Sequence, residues 1–405
     1  MFSEKIIKVN FYLLLLLPIA LITGPFFPDL IVILSCLSMF FFSSFLKIKN
    51  FNNKLVLMLL SLWLASIISS FFSTDFFFSI KSSFFYIRII IFSLIVNEIL
   101  KFYDKNLYKL LNILLLIFIF LFIDSCFQRY FGYNTFGIVM SNEVRVSSFF
   151  GKELILGSYF VKFYPIVIAL LNLTKIKNFF LYFSGVTIIT LITVILSAEK
   201  SAIAIFFIEF FFIIIFISKN FKSKILIIIT IFLVFFIMFF SFPKIKNRIY
   251  DQLLLNSENF KYLYTITHTH HYISGYKIFI DNPIIGVGPK MFRKLCNKNE
   301  YKVSEHSCST HPHNYSIQLL AETGIIGFSF FILFYFFLVI DLIKFLLNKK
   351  RNNFSFPLYT LLILNLINFM PLFPSGNFFN NWLSITYSFS FGLYLYFKEK
   401  YEKNE

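Results

Sequence analysis

The residues of this chain that can do chemistry are few and lie close together. All six histidines fall in one segment: His268, His270, His271, His306, His311 and His313. The densest run is Ser309-Thr310-His311-Pro312-His313-Asn314, and beyond it Asn314, Gln318 and Glu322 recur every fourth residue up to Gly324. Pro312 suits the first position of a helix and Gly324 its end, so a short helix carrying one polar stripe is predicted between them. His313 falls in the first turn, where the positive end of the helix dipole disfavours imidazolium and leaves the ring able to accept a proton. Free amides of that turn can hold an anion such as phosphate. A neutral base beside an anion site suits transfer of a group from a phosphate-bearing donor to a hydroxyl. Two plainer readings stand beside this one: His313 as a loop or capping histidine, and Glu322 as the last member of a surface stripe.

The histidines also raise the question of a metal. Their spacing matches no standard zinc arrangement, and His-x-His-His alone is a weak signal, so neither metal nor cofactor is expected. His270 or His271, near the start of a helix holding Tyr272 to Ile280, is expected to assist substrate binding. Cys296 and Cys308 both precede the run, and in an extracytoplasmic compartment they are expected to pair and pin the segment before the histidines. Cys36 and Cys126 lie in or beside apolar stretches and read as packing.

What positions these residues is a membrane protein. Of the 405 residues 58% are hydrophobic and 14% charged, against roughly a quarter charged in soluble domains, and mean hydropathy is +0.78. Phe occurs 63 times, in runs that no single apolar face could absorb. About twelve spans of close to 20 residues are predicted. They lie near 10–24, 30–46, 55–73, 84–100, 110–127, 154–173, 179–197, 202–218, 225–242, 324–343, 357–373 and 381–397. The net charge of +17 does not point to nucleic acid, because the basic residues alternate with the spans. Lys5 and Lys8, then Lys47, Lys49 and Lys54, Lys101, Lys105 and Lys109, Lys175 and Lys177, Lys219, Lys222 and Lys224, Lys344, Lys349, Lys350 and Arg351, and the tail lysines all thread to one side. That is the positive-inside pattern, and it places both termini in the cytoplasm. The first span is read as retained rather than as a cleaved signal. The fold expected is therefore an all-α polytopic membrane protein. An N-terminal bundle over 1–242 carries an outer loop at 124–153, a long periplasmic loop with the His-Asn helix covers 243–323, and helices and a cytoplasmic tail fill 324–405.

His313-Asn314 followed after nine residues by Gly324-Ile325-Ile326-Gly327 resembles the signature of the O-antigen ligase and O-antigen polymerase superfamily. Asp281-Asn282-Pro283-Ile284-Ile285-Gly286-Val287-Gly288-Pro289 resembles the turn which that family carries upstream. Arg145 with Ser148-Phe149-Phe150-Gly151 and Glu153-Leu154-Ile155-Leu156-Gly157 resembles its arginine-bearing loop. Ser197-Ala198-Glu199-Lys200-Ser201 is similar to an outer turn in which the family usually has Arg in place of Lys200. The resemblance implies a GT-C-type fold and a glycosyltransferase of the bacterial inner membrane. Such enzymes take a glycan from undecaprenyl pyrophosphate on the periplasmic face and join it to a sugar hydroxyl of lipid A-core or of another lipid-linked repeat, or to a protein acceptor as in O-linked oligosaccharyltransferases, without a metal and with inversion. Carried over by position, His313 is the general base, Arg145 and Lys200 hold the pyrophosphate, and Asn314, Glu322 and His270 line the substrate site.

Other readings remain beside the resemblance. Arg145 can serve as an interface anchor and Lys200 as a snorkelling side chain. Asp124 and Gln128, one turn apart at a membrane exit, face either a cavity or water. Glu153 and Glu199 carry no assignment. A transporter or flippase of lipid-linked sugars would need charges buried in several spans and internally related halves. Arg88 and Lys162 are the main charges inside the predicted spans, and no half-repeat is visible.

Overall fold

The computed structural model describes residues 2–42, 51–217, 220–254 and 266–404. Lys47, Lys49 and Lys219 of the basic pattern, and the middle of the long loop, lie outside the described residues. Among those described there is no strand, only one isolated antiparallel bridge between Tyr133 and Val139. The helices begin with α1 (Phe2–Ala20), α2 (Phe26–Phe42), α3 (Lys54–Phe71), α4 (Phe76–Phe84), α5 (Ile87–Phe102) and α6 (Leu107–Phe131). After the outer loop come α7 (Leu156–Leu173), α8 (Phe179–Ser197), α9 (Lys200–Ile217), α10 (Phe221–Ser241) and α11 (Pro243–Leu254). The last five are α12 (Ile266–Asp281), α13 (Phe292–Leu295), α14 (Tyr315–Leu347), α15 (Ser355–Asn368) and α16 (Asn381–Lys403). Among the described residues eight helical segments are long and apolar enough to cross a bilayer, and α2 and α15 are shorter apolar helices. The chain is thus an all-α polytopic membrane protein.

Helix α7 is buried along nearly its whole length, and α15 and α16 are similarly enclosed. At the opposite extreme α10 buries only Ile227 and Ile231, which leaves the rest of an apolar cylinder for lipid. Within the spans Arg88 donates to Asp29 at 2.6 Å, and Lys162 Nζ donates to Asn368 and to the Tyr387 hydroxyl, both at 3.2 Å, whereas the wholly buried Glu209 carboxyl has no hydrogen-bond partner. Of the two lone cysteines, Cys36 packs partly into the core, whereas Cys126 is exposed on α6.

The two ends of the bundle differ. One gathers Lys101, Lys398 and Lys400, in ion pairs with Glu98, Glu399, Asp341 and Asp104. The other gathers the C-terminus of α6, the N-terminus of α7, the α8–α9 turn, the N-terminus of α14 and the α15–α16 connection. Every motif singled out above sits at this second end.

Candidate active site

The histidine segment departs from the predicted short helix in two ways. Pro312 is not helical, and Asn314 is the N-cap: its Oδ1 accepts from the Ile317 amide at 3.1 Å. His313 therefore precedes the helix, in the left-handed region with φ 57°, rather than lying in the first turn. Nor does the helix end at Gly324. It turns there (φ 62°, ψ −170°) and continues as the membrane-crossing part of α14.

The turn after α12 makes that kink. Val287 and Gly288 amides donate to the carbonyls of Ala321 and Glu322 at 3.0 and 2.9 Å, and the Ile325 amide donates to Pro283 at 2.8 Å. The groups freed by breaking the helix are satisfied in this way. A Cβ on Gly324 would run into the Ile284 carbonyl, and one on Gly286 into the backbone of residues 322–324. Glycine is required at both because two backbones touch. The upstream turn and the His-Asn segment are one structural unit.

The polar stripe faces protein, not water. Asn314 Nδ2 donates to Pro371 and Phe373 carbonyls at 3.1 and 3.3 Å. Gln318 joins Glu322 at 2.9 Å and Asn377 at 3.0 Å and accepts from the Phe378 amide. Glu322 is wholly buried and accepts from the Phe292 amide at 3.3 Å. These three tie the α14 N-terminus to its neighbours, and the surface-helix reading of Glu322 is replaced by a buried strut.

Around His313 stand three more imidazoles. Ring centroids of His311, His268 and His271 lie 4.1, 5.2 and 5.3 Å from its own. The His313 carbonyl accepts from the Ser375 amide at 2.9 Å and faces the Tyr272 hydroxyl at 3.5 Å. Burial, then the neighbouring His268 and His271, push the His313 imidazole down to about 4. His271 is lowered to about 4 and His311 to about 3, in both cases first by burial. His313 is thus neutral at pH 7, as expected, but through desolvation and crowding rather than the helix dipole. His270 is turned to Ser304, 2.8 Å from Nδ1 to Oγ, and it is His268, His271 and His311 whose rings meet His313. No group of three or more ligating side chains suited to a metal is present among the described residues. Cys296 and Cys308 form a disulfide, Cα to Cα 5.1 Å, closing the loop that carries Ser304.

The second group of functional candidates is built from the outer loop. Asp124 and Gln128 neither line a cavity nor face water; both are buried and organise backbone. Asp124 accepts from Thr135 N and Oγ1 (2.9 and 2.6 Å) and from Ser148 Oγ. Gln128 Oε1 accepts from the amides of Ser147 and Ser148 at 3.0 and 2.6 Å. This clamp delivers Arg145, whose Nε donates to the Ser197 carbonyl at 3.2 Å and Nη2 to Leu154 at 2.8 Å. Nη2 also stands 4.0 Å from Glu199. Glu199 in turn caps α7, accepting from the amides of Gly157 and Ser158 and from the Ser158 hydroxyl at 2.8, 3.2 and 2.6 Å. Burial raises the Glu199 carboxyl, opposed by the Ser158 hydroxyl and Arg145.

Sequence reasoning missed Arg248. It lies on α11, its Nε is buried without a partner, and its charge is felt by both Arg145 and Lys200. The signal was the basic stripe Lys244, Lys246, Arg248 in a stretch treated as loop. Arg145 is lowered by burial and by Arg248, with Glu199 opposing. Arg145 thus stands beside a carboxyl already engaged at a helix end, and Arg248 adds positive charge near both Arg145 and Lys200, an arrangement that favours an anionic ligand.

The two groups connect through α7. Lys162 lies about 6 Å along the helix from Ser158. It reaches the Tyr387 hydroxyl, which accepts from Tyr315 at 2.9 Å, one residue beyond Asn314. Residues 185–332 match the family described as O-antigen ligase. That stretch, rather more than a third of the chain, is O-antigen ligase-like. The matched stretch holds Lys200, Arg248, the four clustered histidines and the Gly324 kink, while Arg145 lies upstream of it. Members of this family are glycosyltransferase-like ligases and polymerases, and a general function of that type follows for the chain. No curated protein matches it.

Proposed function

We propose that the protein transfers a glycan from undecaprenyl pyrophosphate to a sugar hydroxyl on the periplasmic face of the bacterial inner membrane, with O-antigen ligation onto lipid A-core as the reaction. The observation that carries this reading is the pairing, at one end of the bundle, of a neutral histidine with a cluster of cations. His313 takes the proton of the acceptor hydroxyl, and the acceptor oxygen attacks the anomeric carbon. The bond from that carbon to the pyrophosphate oxygen breaks, and the departing charge is received by Arg145, Lys200 and Arg248. Both termini then lie in the cytoplasm, as the basic end of the bundle supports. No metal step is needed, since the proton and the leaving group each have a protein partner.

The same residues would serve an O-antigen or exopolysaccharide polymerase, whose acceptor is another lipid-linked repeat. Lipopolysaccharide profiling of a deletion strain separates the two. Undecaprenyl-linked polymer accumulating behind bare lipid A-core means ligase; core bearing a single repeat means polymerase. Full rescue of the deletion by His313→Ala would sink the assignment of the base.

A further inference from the structure

A cavity of about 580 Å³ opens between the end of α6 and the α10–α11 junction. It is lined by Arg129, Tyr130, Phe131, Glu143 and Lys244, among others. Its surroundings are those of a bilayer surface. Tyr130 and Phe131 are 83% and 50% exposed, and the adjoining α10 is apolar and almost wholly uncovered. Arg129 donates to the Glu143 carbonyl at 3.2 Å and lies over the Phe242 ring, and Lys244 pairs with the Glu143 carboxylate. Lys244 and Arg248 are one helical turn apart on α11, so they share a face. Arg248 is the residue whose charge reaches Arg145 and Lys200. From the cavity to the inner cluster run Arg129, Lys244, Arg248, Arg145 and Lys200, with Glu143 paired to Lys244 and Glu199 beside Arg145. Glu199 is occupied at the α7 end, and the Glu143–Lys244 pair is exposed enough to exchange readily for a stronger anion.

We propose that Arg129 and Lys244 form the receiving end of a cationic track, which takes the phosphate of a membrane-borne polyprenyl donor at the bilayer surface and hands it along α11 to Arg145, Lys200 and Arg248. The inference rests on the donor named in the proposed function. The apolar tail stays in lipid beside α10 while the charged head moves between fixed cations. Arg129 and Lys244 act on capture of the donor, not on the chemical step.

The test is steady-state transfer by the full chain in vesicles of neutral lipid, with undecaprenyl pyrophosphate-linked glycan as donor. Lys244→Gln and Arg129→Gln should lower kcat/KM for the donor roughly ten-fold and flatten its dependence on ionic strength, with kcat within about two-fold of wild type. Lys244 is 57% exposed, so its replacement leaves packing intact. An unchanged kcat/KM, or a fall in kcat at constant KM, overturns the track. A repeat in vesicles containing phosphatidylglycerol separates the two sources of lipid phosphate. An effect of the substitutions that appears only with that lipid assigns the cavity to a phospholipid and overturns the proposal. If the wild-type protein transfers nothing from this donor, the proposed function itself fails; if it transfers and the two variants match it, only the track does.

Discussion

The guanidinium of Arg145 stands 4.0 Å from the carboxylate of Glu199, and that carboxylate is simultaneously the N-terminal cap of α7. One buried acid therefore sets the position of a helix and of a phosphate-binding candidate. Glu199→Gln keeps the shape but loses charge-assisted bonds to two amides and a hydroxyl. It should cost about 1–3 kcal/mol, read as a lower melting temperature of the purified protein in detergent. Donor KM should stay level or fall, since the local positive charge rises. An unchanged melting temperature would show that the cap contributes nothing.

For His313 the expected pH behaviour follows from its surroundings. The cluster includes His268, His271 and His311, with Arg293 adding positive charge near His311 and His306 near His271. His313 is lowered to about 4, so kcat/KM should hold down to about pH 5 instead of halving near the ordinary histidine value. Stability has the opposite dependence on the same groups. The unfolded chain binds protons at these histidines from about pH 6.5 downward and the folded chain does not until about 4, so acidification through that window favours unfolding. His311→Phe should make unfolding less sensitive to pH between 4 and 6.5. A pH–rate profile and melting curves across that range check both statements.

How much of this could be read in the sequence depends on whether a feature is written locally. The twelve apolar stretches each contain a helix, and the disulfide followed from two cysteines flanking one segment. Asn314 as the start of α14 was nearly legible; what misled was Pro312, whose preference for a first helical position was outweighed by the tie between the His313 carbonyl and Ser375. The continuation past Gly324 was hidden, because a glycine within an apolar run signals an end locally, whereas here the 283–288 turn supplies the missing hydrogen bonds. The basic stripe holding Arg248 was visible, but its place in the fold was hidden for a related reason. Nothing near it in the chain says that α11 folds back against Arg145 and Lys200.

That kink gives a discriminating pair of substitutions. Gly324→Ala places a methyl against the Ile284 carbonyl at φ 62° and ψ −170°, a backbone region almost confined to glycine that costs an L-residue about 1–3 kcal/mol before the clash is counted. Gly185→Ala, in α8 with open space around it, should be neutral or gain about 0.5–1 kcal/mol. The first variant should lose activity and melt earlier, the second should do neither. Equal melting temperatures for the two would mean that the turn does not hold the α14 kink.

The Cys296–Cys308 bridge closes a segment between α13 and the histidines, with 12 residues of separation. In the unfolded chain such a closure is worth about 3 kcal/mol. Double substitution by Ser should therefore loosen the segment holding Ser304 and, through it, His270. Hydrogen exchange over 296–311 is the direct readout, with faster exchange expected in the variant and no change at α7. Labelling of unreduced protein with a thiol reagent should report Cys126, which is exposed, and leave Cys296 and Cys308 unmodified.

Lys200 offers the last and sharpest contrast. It opens α9 beside Glu199, where its neighbours Arg145 and Arg248 already supply guanidinium forks. A lysine there adds charge without fixing orientation, because an ammonium is a point donor and a guanidinium can grip two phosphate oxygens at once. Lys200→Arg should then keep or improve donor KM with kcat little changed. Lys200→Ala should raise KM about five- to ten-fold, the loss of one charge-assisted hydrogen bond. Arg145→Lys should be far worse than its charge conservation suggests, since the guanidinium also holds the Ser197 and Leu154 carbonyls and a lysine cannot span both. Donor titrations for the three variants give the order directly. If Arg145→Lys proves milder than Lys200→Ala, the fork at 145 is not what holds the loop.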